Sequence, residues 1–192
     1  IQARRPAGST FKALIVASGL ELGVISPEST FLDERKSYDN GRGGQWRPRN
    51  VSGVYSGEEM TVAEAISQSV NTIAVQVLEK VGVSTVVGLC RHLGFDRSLP
   101  EDLSLALGSA SVSPMQLTAA FAPFASGGMY RKPRLIDRVI TSGGHNLWNG
   151  RTEERRVFSQ DTVHAMHSML RGVVQDGTGR MARIEGLDVA GK

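Results

Sequence analysis

The sequence predicts an α+β fold, and three observations predict it. Runs with helical apolar spacing, bounded by helix-start and helix-stop residues, dominate the middle of the chain. The clearest strand signals come late, from Leu135 onward, so helices and strands do not alternate as they would around a parallel sheet. A length of 192 residues, with 40% apolar and 21% charged content, suits one domain with a sizeable core and is short for two. Helices packed on one another and on one antiparallel sheet are the expected arrangement.

The first helix is expected from Ser9 to about Leu22, ended by Gly23 and then Pro27. Residues 28 to 58 are rich in turn formers, above all Tyr38-Asp39-Asn40-Gly41-Arg42-Gly43-Gly44, and read as loop with short strands. Trp46 within them reads as a packing anchor. Thr61-Val62-Ala63-Glu64 is a capping box that opens a second helix, and a third runs from Thr72 to Val81 before Gly82. Their joint holds Ser69-Val70-Asn71, whose polar side chains suit a helix junction better than a helix interior. A fourth helix spans Ser84 to Gly94, and Pro100 to Ser113 reads as a small-residue connection.

Ser113-Pro114-Met115-Gln116 starts a fifth helix with an N-cap serine, proline at N1 and glutamine at N3; Gly127-Gly128 stops it. Leu135 to Thr141 and Asn146 to Trp148 read as two strands joined at Ser142-Gly143-Gly144. Ser159 caps a last helix from Gln160 to Val174, and Leu187 to Ala190 looks like a strand. The chain starts without methionine and stops at Lys192 inside that strand-like run, so it is expected to be a fragment of a longer protein.

Several function classes fall away on composition. The formal charge is only +3 and aromatics are 6%, with no basic stripe, so nucleic acid is not an expected partner. The single cysteine, Cys90, excludes an internal disulfide or a cysteine metal cluster, and its apolar neighbours place it in the core. His164 and His167 lie i, i+3 on the last helix, but no third ligand is evident, so no metal is expected. His92 and His145 have no identifiable partner in sequence. No Gly-x-Ser-x-Gly elbow, phosphate loop or dinucleotide fingerprint occurs, and no stretch of 18 apolar residues is present. No cofactor is expected.

Three polar elements remain. Ser9-Thr10-Phe11-Lys12 puts a hydroxyl and an amine on one helical face, at the mouth of an apolar helix. Burial would lower the lysine pKa and let it act as a base, while the helix N-terminus would favour negative charge on the serine oxygen. The bland alternative is a helix cap followed by a solvated lysine. The second element is Ser69-Val70-Asn71 and the third is Lys192 after Val189-Ala190-Gly191.

In this order and setting, the three elements resemble the signatures of the penicillin-binding transpeptidases and serine β-lactamases, although only the lysine of the third, Lys-Thr-Gly, is present. Trp46-Arg47-Pro48-Arg49-Asn50, Leu105-Ala106-Leu107-Gly108-Ser109-Ala110, Ser113 to Leu117, Ala125 to Gly128, Gly177-Thr178-Gly179-Arg180 and the residues from Gln2 to Ser9 all look like class A penicillin-binding proteins. The resemblance covers nearly the whole chain. It implies a transpeptidase-like fold, with a helical subdomain on an antiparallel sheet that is incomplete at both ends. Residues 1–192 would form part of one transpeptidase domain, without the family's preceding glycosyltransferase domain or its C-terminal strands.

The resemblance further implies acyl transfer on D-Ala-D-Ala stem peptides of peptidoglycan, with β-lactams acylating the same serine. Ser9 would be the nucleophile, Lys12 its base and Ser69 the proton relay, while Asn71 and Lys192 would bind substrate. The Ser9 N–H would supply half of an oxyanion hole. Other cell-wall assembly proteins would be partners, and the location would be the extracytoplasmic face of a bacterial membrane. The alternatives are a serine β-lactamase, a D,D-carboxypeptidase, or a non-catalytic β-lactam sensor or scaffold. A β-lactamase of class A needs a glutamate to activate water, and Glu79 and Glu101 are the mid-chain candidates, without matching surroundings.

Overall fold

A computed structural model describes residues 3–39, 44–95 and 99–192. The expected turn centred on residues 40–43 therefore lies outside the described residues, as does Gln2. Among the described residues are six α-helices: α1 (Phe11–Glu21), α2 (Val62–Gln68), α3 (Asn71–Val81), α4 (Val83–His92), α5 (Pro114–Ala125) and α6 (Gln160–Gln175). The organising element is α1. Every residue from Phe11 to Gly19 is buried, including Lys12, and apolar side chains run all round the helix, as a central core helix requires. It packs against α3, α4 and α6. Phe11, Leu14 and Ile15 are fully enclosed, and each such side chain contributes about 1.5–3 kcal/mol through burial.

The helices around α1 are amphipathic, and their ends follow local chemistry. Thr61 accepts from the Glu64 N–H while the Glu64 carboxylate accepts from the Thr61 N–H, so the capping box opens α2 as expected. Ser113 and Gln116 make the same reciprocal pair at α5, and Ser159 caps α6 through the Thr162 N–H. Val86, Val87, Cys90 and Leu93 line the inner side of α4 and its end, and burial pushes the Cys90 thiol up to about 12, so it is an inert core residue. Trp46 is partly buried and tilts against Tyr38 with ring centroids 5.9 Å apart, in keeping with a packing role.

The strands are short and pair antiparallel in five two-stranded ribbons among the described residues, rather than in the one sheet anticipated. β1 (Arg5–Pro6) pairs with β6 (Ser111–Val112), β2 (Thr30–Leu32) with β5 (Glu59–Thr61), and β3 (Tyr38–Asp39) with β4 (Gln45–Trp46). β7 (Met129–Arg131) pairs with β10 (Glu154–Arg156), and β8 (Arg138–Ile140) with β9 (Asn146–Asn149), the latter with an irregularity after Val139. The hairpin expected around Ser142-Gly143-Gly144 is thus present, with its first strand shortened.

Three expectations change. Ser9 lies not in the α-helix but in a single 3-10 turn, Gly8–Thr10, that leads into α1. The connection from Pro100 to Ser113 contains a 3-10 helix, Leu103–Leu107, and the strand β6. Leu187 to Ala190 forms no strand, since no neighbouring segment among the described residues offers it a ladder of hydrogen bonds. No single helix among the described residues is long and apolar enough to cross a membrane.

Candidate active site

The turn that carries Ser9 is fixed from outside its own helix. The Ala7 N–H donates to the Ala110 carbonyl (2.9 Å) and the Gly8 N–H to the Gly108 carbonyl (3.0 Å), which ties the entry to α1 onto the segment before β6. Gly108 has φ +69°, and a Cβ there would overlap the Gly8 backbone. Only glycine allows both the left-handed turn and that approach. The small-residue run Leu105 to Ala110 therefore serves to seat Ser9.

One turn further, Lys12 is 2% exposed. Its Nζ donates to the Ser69 carbonyl (2.6 Å) and to Asn71 Oδ1 (2.6 Å), with Ser69 Oγ at 3.3 Å. The joint between α2 and α3 creates these acceptors. Ser69 ends α2 with φ 62°, the single non-glycine residue in the left-handed region among the described residues. The turn aims both its carbonyl and its hydroxyl at Lys12 and starts α3 at Asn71. Such a conformation is costly for a side-chain-bearing residue and persists where the surroundings over-determine it.

Burial, and then the charge of Lys192, lower the Lys12 pKa to about 7. Lys192 is lowered to about 8 by burial, and its Nζ donates to Thr178 Oγ1 at 3.5 Å. Thr178 in turn donates from its N–H (3.1 Å) and its hydroxyl (3.3 Å) to the Ser67 carbonyl on α2.

A cleft of about 700 Å³ is shared by Ser9, Asn50, Ser69, Thr178 and Lys192. Lys12 and Asn71 do not line it; Lys12 reaches it through Ser69, and Asn71 through Lys12. All five residues singled out from sequence thus converge, but not all by the expected contact. Ser9 Oγ has no hydrogen-bond partner among the described residues, and the Ser9–Lys12 bond suggested by the spacing is not made. The lysine donors go to Ser69 and Asn71. A second cleft of about 620 Å³, near Arg4, Tyr130, Lys132 and Arg155, contains none of the five.

The other candidates lie elsewhere. Glu79 pairs with Lys36 (2.7 Å) and Glu101 with Arg91 (3.2 Å), both exposed and neither in the Ser9 cleft. His164 and His167 are exposed on α6. Sequence reasoning missed Asp33 as a neighbour of the site and noticed Asn50 and Thr178 only within stretches of family resemblance. The signal for Asp33 was weak, since a lone acid in a turn-rich stretch usually faces water.

The likeness extends to known proteins. The model of the penicillin-binding protein transpeptidase domain matches residues 1–192. Penicillin-binding protein 1F of Bacillus subtilis (strain 168) is 37% identical over 196 residues, which take in 100% of this chain and 26% of that protein. Penicillin-binding protein 1A of Aquifex aeolicus (strain VF5) is 34% identical over 192 residues, again 100% of this chain and 26% of its own length. The chain thus spans about a quarter of the length of these curated relatives. Among solved structures, penicillin-binding protein 1A from Haemophilus influenzae superposes with a TM-score of 0.82 at 23% identity, over 98% of this chain and 32% of that one. The D,D-transpeptidase domain of a peptidoglycan glycosyltransferase from Eggerthella lenta gives 0.83 at 23% identity, over 100% and 54%. These structures share the α+β fold, and with a family model matched from end to end this chain belongs to the penicillin-binding protein transpeptidase family.

Proposed function

We propose that the chain carries the acyl-transfer centre of a peptidoglycan D,D-transpeptidase, with Ser9 as nucleophile. The observation that carries this reading is the state of Lys12: enclosed, poised near pH 7, and held by Ser69 and Asn71 one turn from a serine on an open cleft. A neutral lysine amine has two N–H donors and one lone pair. The Ser69 carbonyl and Asn71 Oδ1 account for the two donors, which leaves the lone pair for a proton from a hydroxyl.

In this reading Lys12 takes the Ser9 proton as Ser9 Oγ bonds to the carbonyl carbon between the two D-alanines of a stem peptide. Negative charge then forms on the carbonyl oxygen, which the Ser9 N–H stabilises as one oxyanion donor. The C–N bond breaks as Ser69 passes a proton to the departing nitrogen and is replenished from the Lys12 ammonium. Terminal D-alanine leaves and an ester on Ser9 remains. An amine of a second stem peptide attacks that ester, forms the cross-link and returns the proton to Ser9. Lys192 binds the substrate carboxylate, and its charge helps keep Lys12 neutral. Asn71 orients Lys12, its amide held between the amine and the Arg49 carbonyl behind the cleft lining. A β-lactam opens on Ser9 by the same first step.

The wider setting is proposed from the family resemblance, since this chain covers about a quarter of its curated relatives. A glycosyltransferase domain preceding this one, cell-wall assembly proteins as partners and a membrane-anchored, extracytoplasmic location are part of the proposal. Mass spectrometry after incubation with a penicillin tests its centre. A stable adduct is expected on Ser9. An adduct on another residue, or none, would remove the assignment, and rapid turnover of the drug would indicate a β-lactamase instead.

A further inference from the structure

We infer that Asp33 and Asn50 are positioning residues for acyl transfer, which pin the loop from Arg49 to Ser56 onto the start of α3 and so hold the Asn71 amide against Lys12. The inference rests on the acyl-transfer reading above. It starts from an unmet need. Helix α3 opens behind Val70, whose side chain cannot cap, so its first N–H groups require acceptors from elsewhere. Asn50 supplies them across 21 residues of sequence: its Oδ1 accepts from the Asn71 N–H at 2.9 Å and lies 3.4 Å from the Thr72 N. The other end of the same amide donates to Asp33 Oδ1 (2.8 Å) and to the Val54 carbonyl (3.0 Å).

Asp33 is 4% exposed and fully engaged. Its Oδ1 also accepts from the Thr72 hydroxyl (2.5 Å), and its Oδ2 accepts from the Ser56 N–H (2.8 Å). Burial works to raise this carboxyl, but the bonds from Ser56, Thr72 and Asn50 outweigh it and hold the group below the usual carboxylate range. Three donors converging on one group call for a residue that only accepts, which an ionised aspartate does and an asparagine does not.

The consequence for Lys12 is geometric. Asn71 Nδ2 donates to the Arg49 carbonyl at 2.7 Å, and a carbonyl can only accept. That bond forces the amide nitrogen toward Arg49 and leaves Oδ1 facing the lysine. Arg49 directly precedes Asn50, so the clamp on Asn50 also sets the place of that carbonyl. With the clamp lost, the Asn71 amide is no longer fixed against the amine, and the loop admits water, which solvates the ammonium and raises the Lys12 pKa.

The test measures acylation of the complete protein by a fluorescent penicillin as a function of pH, beside thermal melting. Asn50→Ala and Asp33→Asn are expected to slow acylation about tenfold to a hundredfold, as misplacement of a catalytic group does. They should also move the acid limb of the profile to higher pH, because burial is the main cause that depresses the Lys12 pKa. Thr72→Val, which removes one donor to Asp33 with little change of shape, should slow acylation several-fold, and Thr72→Ser should restore it. Wild-type rates and profiles in these variants would overturn the inference. So would slower acylation with an unmoved acid limb, or no rescue by Thr72→Ser, since a merely structural role predicts both. If the unmodified protein is not labelled on Ser9, the acyl-transfer reading falls first and this inference with it.

Discussion

Two parts of the molecule treat side chains in opposite ways. Around α1, residues of every chemical type are enclosed, and even an amine is held at 2% exposure by named acceptors. In the β8–β9 hairpin, residues 142–149 are all exposed, and apolar side chains such as Leu147 (67%) and Trp148 (49%) face outward. The first region has many partners for each group and tolerates little change. The second is held by its own ladder and by surface ion pairs such as Arg134 with Asp137, which are worth little. The difference teaches where chemistry can reside: a depressed lysine pKa needs water kept out, and only the enclosed region does that.

The comparison can be broken most directly at its centre. Ser9→Ala should abolish penicillin labelling while leaving the melting temperature near that of the parent, since Ser9 Oγ makes no hydrogen bond among the described residues. Persistent labelling in that variant would show that the enclosed region is not the reactive one. Next in size is pH. If Lys12 is the base proposed, it must be neutral, so acylation should fall about tenfold per pH unit below about 7. If Lys192 holds the substrate carboxylate as proposed, it must be charged, so binding should weaken above about 8 and give a bell-shaped profile. A flat profile from pH 5 to 9 would contradict both assignments.

A smaller effect is expected from Gly108→Ala, which sets a methyl group against the Gly8 backbone in a left-handed turn. It should cost about 3 kcal/mol in denaturant unfolding and slow labelling as well, because the same contact seats Ser9. The smallest belongs to the hairpin. Leu147→Ser should shift stability by no more than about 0.5 kcal/mol and leave labelling unchanged. A loss of labelling there would mean that the exposed hairpin acts on the site, and the contrast between the two regions would need redrawing.

Legibility followed the range of the interactions. The Thr61–Glu64 and Ser113–Gln116 boxes span four residues each, so the starts of α2 and α5 could be read directly. Ser9, Lys12 and the Ser69–Asn71 joint were visible as spacing. β7 and β10 were not, because their partners lie more than twenty residues apart and Glu154-Arg155-Arg156 carries no apolar alternation. The single expected sheet failed for the same reason, since strand partners are chosen by non-local pairing. Asp33 escaped notice because nothing nearby in sequence explains a buried acid; its donors come from Asn50, Ser56 and Thr72.

From sequence alone came the α+β class, the capped starts of α2, α5 and α6, and the order in which a serine, a lysine and a Ser-x-Asn joint follow one another. All of these rest on caps and periodicity that act within a few residues. Whether Lys12 is solvated or enclosed was open at that level and is decided by the fold. Desolvation is a property of the whole packed neighbourhood, and the charge that assists it comes from Lys192 at the opposite end of the chain. The fold also moved Ser9 out of the α-helix into a tight turn clamped by Gly108, and gave the lysine donors to Ser69 and Asn71 instead of to Ser9. Spacing could place these groups on one face, but the partner of each donor depended on which distant acceptor, a carbonyl or a side-chain amide, lay within 3 Å of it.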